Sequence, residues 1–256
     1  SMGSFRLLQF NMQFGQIWDD ENPDNAPIQI ESTIRELKLY DGDIVLLQEV
    51  EHVQKGGKQM DPPPNFTRLQ HELVGYESVF TYPPEGSREL PFGIGLAVFS
   101  KYPILSSRTV VLPAAPVEFE FEGVVTGPTD RVMQIVDIDV DGTVVTFINT
   151  HLQAYFMINA SSNDYPEQRD IVLKEALAVE GPMVLAGDFN SVDEESLLVE
   201  YERAGLKPMQ TDIVTWKRMP LVLDHIFLNQ HLEFKGGTVD EVSASDHHML
   251  VAEIKC

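Results

Sequence analysis

The chain holds a single cysteine, Cys256, among its 256 residues, so no internal disulfide can staple it. That scarcity fits a reducing compartment and makes a cytoplasmic location the expectation. Ser1-Met2-Gly3-Ser4 reads as an expression scar, so a native signal peptide could already have been removed. No run of apolar residues approaches the 18 or more that a membrane-spanning helix needs. No Gly/Ser-rich linker or break in composition divides the sequence, and residues 5–256 are expected to form one domain. Positive charge is the scarcest resource. Eighteen Lys and Arg stand against 40 Asp and Glu, a net charge of −22. Such a balance repels polyanions at long range and excludes the broad basic footprint of a general nucleic-acid binder. A local basic rim built from Arg88, Lys101, Arg108, Arg131, Lys217 and Arg218 stays open, and the plain consequence of the charge is solubility.

Hydrophobic residues make up 43% of the chain, enough for a sizeable core. Phe5–Phe10 reads as a strand ending at Asn11, and Ile30, Ile34, Leu37 and Leu39 fall on or near one face of a helix. Further strands are expected at Ile44–Gln48, Tyr76–Tyr82, Gly95–Ser100 and Ser106–Leu112, with a helix from Asn65 to about Leu73. Val132–Val140 and Val144–Asn149 flank Asp141-Gly142, the strongest hairpin signal present. Residues 153–165 read as a polar loop, Pro166 takes a helix N1 position, and another helix is expected over Glu194–Ala204. Helices alternate with strands, yet hairpins occur as well. The expected architecture is therefore a four-layer α/β sandwich, two mixed β-sheets packed face to face with helices outside.

Four polar clusters border apolar runs. Gln48-Glu49 follows Ile44–Leu47, Gly187-Asp188-Phe189-Asn190 follows Met183–Ala186, Asp224-His225 precedes Ile226–Leu228, and Ser245-Asp246-His247 precedes Met249–Val251. A carboxylate at the tip of a buried strand is costly unless something pairs, coordinates or uses it. Asn11, Glu49, Asp188, Asn190, Asp224, Asp246 and His247, gathered at one edge, would make a hydrolytic metal site. Oxygen donors with at most one imidazole suit Mg²⁺ or Mn²⁺, whereas zinc would want more His or Cys. Singly, each residue has an ordinary reading. Asp188 after Gly187 is a turn former, Asp224 a turn cap, Asn11 an Asx-turn residue and His151 a core histidine. His225 and His248 fall on the opposite strand face by period-2 alternation and are read as structural; His52, His71, His231 and Asp19-Asp20-Glu21 are read as solvated surface.

The strings Leu7-Leu8-Gln9-Phe10-Asn11, Leu46-Leu47-Gln48-Glu49, Gly95–Ile104, Asn149-Thr150-His151-Leu152, Ala186–Asn190, Leu223-Asp224-His225-Ile226 and Ser245-Asp246-His247 occur in that order along residues 7–247. In them the chain resembles the endonuclease/exonuclease/phosphatase (deoxyribonuclease I-like) family. The resemblance implies Glu49 as principal metal ligand, with Asn11 close by and Asp246 acting directly or through water. It implies Asp188 as the carboxylate that orients or deprotonates the attacking water, with Asn190 holding water and phosphate. His247 would stabilise developing charge with Asp224 fixing its tautomer, and His151 would be a second phosphate-contacting imidazole. The resemblance leaves open whether Asp188 or His247 is the base. Arg131 sits where several family members carry a basic residue, a candidate phosphate contact.

The implied activity is that of a divalent-metal-dependent phosphohydrolase, a phosphodiesterase working by in-line attack of water on a small or lipid-linked phosphoester. Trp18, in the loop Gln13–Pro27, is a candidate for stacking on a substrate group, and Tyr155 heads the segment Tyr155–Ile158, which either forms an apolar lip beside the phosphate or folds back into the core. Glu118, Glu120 and Glu122 alternate with Phe119 and Phe121, an acidic strip that disfavours a long duplex. Two rivals stand beside this reading: a DNA or RNA nuclease with a local basic rim, and a catalytically silent binding module on the same fold.

Overall fold

In the computed structural model residues 3–256 are described, so Ser1 and Met2 of the presumed scar lie outside the described residues. The first half runs β1 (Ser4–Asn11), α1 (Ile30–Tyr40), β2 (Ile44–His52), α2 (Pro64–Glu72), β3 (Glu77–Thr81), β4 (Gly93–Ser100), β5 (Ile104–Leu112), β6 (Phe119–Phe121) and β7 (Val124–Thr126). The second runs β8 (Arg131–Val140), β9 (Thr143–His151), α3 (Glu167–Ala178), β10 (Met183–Asp188), α4 (Leu197–Arg203), β11 (Lys207–Pro208), β12 (Asp224–Leu228), β13 (Glu233–Asp240) and β14 (Met249–Lys255).

The central strands are buried along nearly their whole length, because each is covered on both faces. One six-stranded sheet has the order β13-β14-β1-β2-β4-β3 and the other β11-β12-β10-β9-β8-β5. Each is mixed, with a single parallel pair at its heart, β1 with β2 and β9 with β10. Each parallel pair is joined through a helix, α1 in one half and α3 in the other. A parallel connection needs such a crossover, since a tight turn cannot reverse the chain twice.

Phe5, Leu7, Ile44, Leu46, Val136, Phe147, Val184 and Ile226 interdigitate between the two sheets. Ile34, Leu37, Phe66 and Leu69 bring α1 and α2 onto the outer face of the first sheet, and Val172, Ala176, Leu197 and Tyr201 bring α3 and α4 onto the second. The four layers are those expected. Each wholly buried Phe or Leu in them contributes about 1.5–3 kcal/mol, so three separate apolar layers hold the two sheet edges in fixed relation.

Asp141-Gly142 closes the β8–β9 hairpin with φ of 51° and 92°, the positive values a two-residue turn requires. Leu39 departs from expectation and is 74% exposed. It lies two residues past Leu37, which turns it to the far side of a 3.6-residue helix. Helix α4 starts later than Glu194, because the Glu195 carboxylate is taken by the amides of Ser162 and Val192 and ties 192–195 into a turn. The Glu118–Glu122 strip includes a short hairpin, β6 with β7, that turns all three glutamates to solvent. Among the described residues no helix is long and apolar enough to cross a membrane.

Candidate active site

The strand register gathers the polar tips at one edge of the sandwich. Asn11 lies beside Gln48 across β1 and β2, and Asp188 is flanked by His151 on β9 and by Asp224 on β12. Asp246 and His247 arrive from the segment entering β14, where Trp216 bridges to His247 across an isolated antiparallel pairing. β2 and the segment entering β14 from one sheet, with β10 and β12 from the other, thus deliver carboxylates to a common cleft.

Local backbone features aim these groups. Pairing between β2 and β4 shifts register between Gln48 and Glu51, and Glu49 in that bulge has φ 49°. Gly93 on β4 leaves the space Glu49 occupies: a Cβ there would lie 2.6 Å from Glu49 Oε1 and closer still to its Cβ. Gly187 is required by close approach, since a Cβ would run into the Thr150 carbonyl. Beneath the tips lies a buried amide network. Gln48 Nε2 donates to Gln9 Oε1 and Asn149 Oδ1, each at 2.8 Å, while Asn149 Nδ2 reaches Leu47 O, Ala97 O and Gln134 Oε1, each at 3.1 Å. These bonds cross from one sheet to the other directly under Glu49 and His151.

Asn11 Nδ2 donates to Glu49 Oε2 and, at 3.0 Å, to Asp188 Oδ2, while its Oδ1 accepts the Gln13 amide. Its donor face is therefore turned to the carboxylate pair. His151 Nε2 lies 3.5 Å from Asp188 Oδ2 and 4.0 Å from Glu49 Oε2. His247 Nδ1 is 2.8 Å from Asp224 Oδ2, and its Nε2 faces Asp188 Oδ2 at 3.6 Å and Asp246 Oδ1 at 3.9 Å. Asn190, with φ 48°, donates its amide nitrogen to the Leu152 carbonyl at 2.8 Å, which holds its oxygen in place. Glu49 keeps 15% of its side chain exposed against 2% for Asp188, so the cleft opens over Glu49.

Electrostatics sort the groups. Burial pushes the Glu49 carboxyl up to about 7, with the Asp246 charge adding to the effect. Burial, then Asp224 and Glu49, drives Asp188 well above the ordinary carboxylate range. Burial alone would lower His247, but Asp224, Asp188 and Asp246 outweigh it and hold the imidazole well above its usual value. His151 moves the other way, depressed by burial and then by Arg131 and His247. The site thus favours the charged form of one imidazole and the neutral form of the other.

Asp246 adds to the raised proton affinity of Glu49, and Asp224 and Glu49 add to that of Asp188, which marks a donor set short of a cation. Glu49, His151 and Asp188 each offer an atom within 4.8 Å of the others, as do Asp188, Asp224 and His247. Carboxylate oxygens with flanking imidazoles fit a hard divalent ion.

The remaining candidates sit on the walls. Arg131 lines a small groove with Pro83, Ile94, Gly95, Leu96, Val132 and His151, and its buried Nε has no hydrogen-bond partner. Trp18 lies at the rim, its ring 5.6 Å from Lys217 Nζ and 5.7 Å from the Arg218 guanidinium carbon. Tyr155 is buried and stacked on Tyr165 rather than standing in a lip, because residues 155–158 coil into a helical turn that points it inward. Phe156 packs edge-on against Trp216, and Met157 alone of the four is largely exposed. His225, as expected, is structural, wedged between Phe189 and Phe227. Sequence reasoning did not single out Trp216, whose Nε1 donates to Asp246 Oδ2, or Thr215, whose hydroxyl accepts the amides of Leu223 and Asp224. Neither stands in a periodic pattern that would have marked it.

Residues 8–247 match the Endonuclease/Exonuclease/phosphatase family. No curated protein sequence matches the chain significantly. Solved structures share the fold. An endonuclease/exonuclease/phosphatase from Beutenbergia cavernae superposes with a TM-score of 0.73 at 22% identity, covering 98% of this chain and 71% of that one. A humanized D. rerio TDP2 gives 0.67 at 17% identity, over 98% of both chains. The Bacteroides thetaiotaomicron mannosyl-6-phosphatase gives 0.68 at 14% identity, over 98% and 99%. With the motifs in register from β1 to β14 and the match spanning residues 8–247, the chain belongs to the endonuclease/exonuclease/phosphatase family.

Proposed function

We propose that the protein is a divalent-metal-dependent phosphoester hydrolase, a phosphodiesterase acting on a small or lipid-linked phosphoester. The carrying observation is the convergence of Glu49, Asp188 and Asp246 with the imidazoles of His151 and His247 in a single cleft. A bound Mg²⁺ or Mn²⁺ supplies polarisation of a phosphoryl oxygen and neutralisation of the leaving oxygen. Glu49 and Asp246 would hold it, with Asn11 orienting Glu49 and Asp188 through its amide.

The surrounding carboxylates favour the charged form of His247, so it is suited to stabilise charge developing on the phosphoryl oxygens, and Asp224, bonded to its Nδ1, turns Nε2 toward the substrate. That leaves Asp188 to orient the attacking water and accept its proton. The free oxygen of Asn190 would hold the same water. Neutral His151 would donate to a non-bridging oxygen, and Arg131 beside it would neutralise phosphate charge from the groove. Trp18 would line the rim, with Tyr155 supporting the wall from behind.

The fate of the basic side chains favours a small phosphoester. Lys101 is paired with Asp41, Arg108 with Glu175, and Arg218 with Asp24 and Asp246, while Lys217 Nζ is spent on the carbonyls of Val242 and Ser245. Four of the six candidates for a basic rim are thus engaged within the protein, and the −22 net charge opposes a duplex backbone. Cleavage of bis(p-nitrophenyl) phosphate under Mg²⁺ and Mn²⁺, followed by a panel of DNA, RNA, sphingomyelin and inositol phosphates, tests the reading. Asp188→Asn and His247→Gln should each lower turnover by a factor on the order of 10² to 10⁴. EDTA should abolish it. Unchanged turnover in both variants would overturn the assignment, and affinity for DNA that falls steeply with salt would favour a nuclease.

A further inference from the structure

Arg218 belongs to none of the strands that carry the site, yet it grips one of its carboxylates from outside. Its Nε donates to Asp246 Oδ2 at 2.8 Å, and its Nη1 reaches Asp24 Oδ1 at 2.6 Å. Trp216 Nε1 donates to the same Oδ2 at 3.3 Å. The Trp18 ring lies over the guanidinium, and Trp18 is itself held by its amide on the Ser243 carbonyl at 2.8 Å. The Asp246 main chain is fixed as well, its amide on Gln13 Oε1 and its carbonyl under the Lys217 amide.

A carboxylate free to rotate about its last bond offers either oxygen to a ligand. Here Oδ2 is held by two donors on the rim side, which leaves Oδ1 turned inward, 3.9 Å from His247 Nε2. The Arg218 side chain is 25% exposed and that of Asp246 only 8%, so solvent does not compete effectively for the bond. The Asp24 arm is largely exposed and weak by comparison. Its role is to stop the guanidinium from swinging away.

We propose that Arg218 is a positioning residue, one that fixes Asp246 with Oδ1 presented to the divalent ion while Trp18 and Asp24 clamp the guanidinium. The proposal rests on the metal-dependent reading given above. A cation beside a ligand also competes with the ion for its charge, so two effects oppose. The guanidinium lies on the oxygen facing away from the cleft, and orientation therefore dominates. Partners of metal ligands are worth about 10- to 100-fold in metal affinity.

The test is direct titration of Mn²⁺ into native protein, Arg218→Met and Arg218→Lys, followed by calorimetry and by the electron paramagnetic resonance of free Mn²⁺. Circular dichroism and thermal melts establish that each variant is folded. Arg218→Met should bind Mn²⁺ about tenfold more weakly, at the lower bound for such partners. Arg218→Lys should fall between, since an ammonium reaches Asp246 but cannot fork to Asp24. Arg218→Met binding as tightly as native overturns the proposal, and tighter binding identifies the guanidinium as a competing cation instead. Should the methionine variant not fold, the lysine variant decides alone, and native-like affinity there overturns the proposal. Native protein that binds no Mn²⁺ removes the metal-dependent reading itself, a failure distinct from one confined to the variants.

Discussion

Replacing Asn149 by leucine tests whether the amide network under the cleft is a structural requirement. The two side chains share one branched skeleton of four heavy atoms, so the substitution opens no cavity, and the bulkier leucine methyls add steric strain to the polar loss. Asn149 Oδ1 accepts from Gln48 Nε2, and Asn149 Nδ2 serves Gln134 Oε1 and two strand carbonyls. Leucine leaves at least two side-chain groups without partners, one hydrogen of Gln48 Nε2 and the oxygen of Gln134. Both residues are at most 2% exposed, so water cannot replace the lost bonds. Each stranded group costs about 1–3 kcal/mol, and the sum comes to roughly 4 kcal/mol. Against a total stability of about 5–15 kcal/mol, that loss is large. Urea unfolding followed by fluorescence, with the denaturant slope unchanged, would measure it. Because Gln48 precedes Glu49, divalent-metal affinity should fall in parallel. A loss of stability below about 1 kcal/mol would refute the reasoning, since it would mean that the network relaxes without cost.

Gly93→Ala places a methyl against the Glu49 Cβ and carboxylate, so Mn²⁺ affinity should drop by at least a factor of about ten, with an overpacking loss of about 1–3 kcal/mol in stability. Native-like affinity would show that Glu49 has room to shift. His225 gives a pH prediction, since burial lowers its pKa to about 4 from 6.5, only partly offset by Asp224. The unfolded chain then binds the extra proton, so this histidine's contribution is complete above about pH 6.5 and is lost as pH falls toward 4. The loss amounts to about 3 kcal/mol. His225→Gln cannot take up that proton, and its stability between pH 6.5 and 4 should be flatter than native; parallel curves would discredit the assignment.

Much of the site could be read from the chain because its chemistry is punctuated. A carboxylate closing a buried apolar run is conspicuous, and Glu49, Asp188 and Asp224 stand at such places. Their meeting is a property of register, visible only when Asp188 is aligned with both His151 and Asp224. The two-sheet architecture followed from strand–helix–strand units whose hydrophobic runs are long and unambiguous. Leu39 was misplaced because neighbouring leucines in an amphipathic helix occupy different faces, which a count of apolar residues does not separate. Tyr155 turned inward because a helical turn formed in a segment with no strong periodicity. Trp216, Thr215 and the clamp of Arg218 had no local signature at all. Each acts through a partner distant in sequence, and long-range hydrogen bonds leave no mark on composition.

The two halves also spend conformational strain in matching places. Each builds a parallel strand pair around a helix, β1-α1-β2 and β9-α3-β10, and each puts a polar residue in the left-handed region at the tip. Glu49 has φ 49° and Asn190 has φ 48°, values that cost a non-glycine residue on the order of 1–3 kcal/mol. Strain of that size persists only where surrounding contacts leave no alternative. For Glu49 those contacts are Gly93, Asn11 and the amide network reached through Gln48. For Asn190 they are its bond to the Leu152 carbonyl and the Asp188 carboxylate on its own amide. A turn in ordinary backbone geometry would swing either side chain off the sheet edge. The strained tips therefore account for why both halves can aim polar groups into one cleft, although their strands run in separate sheets.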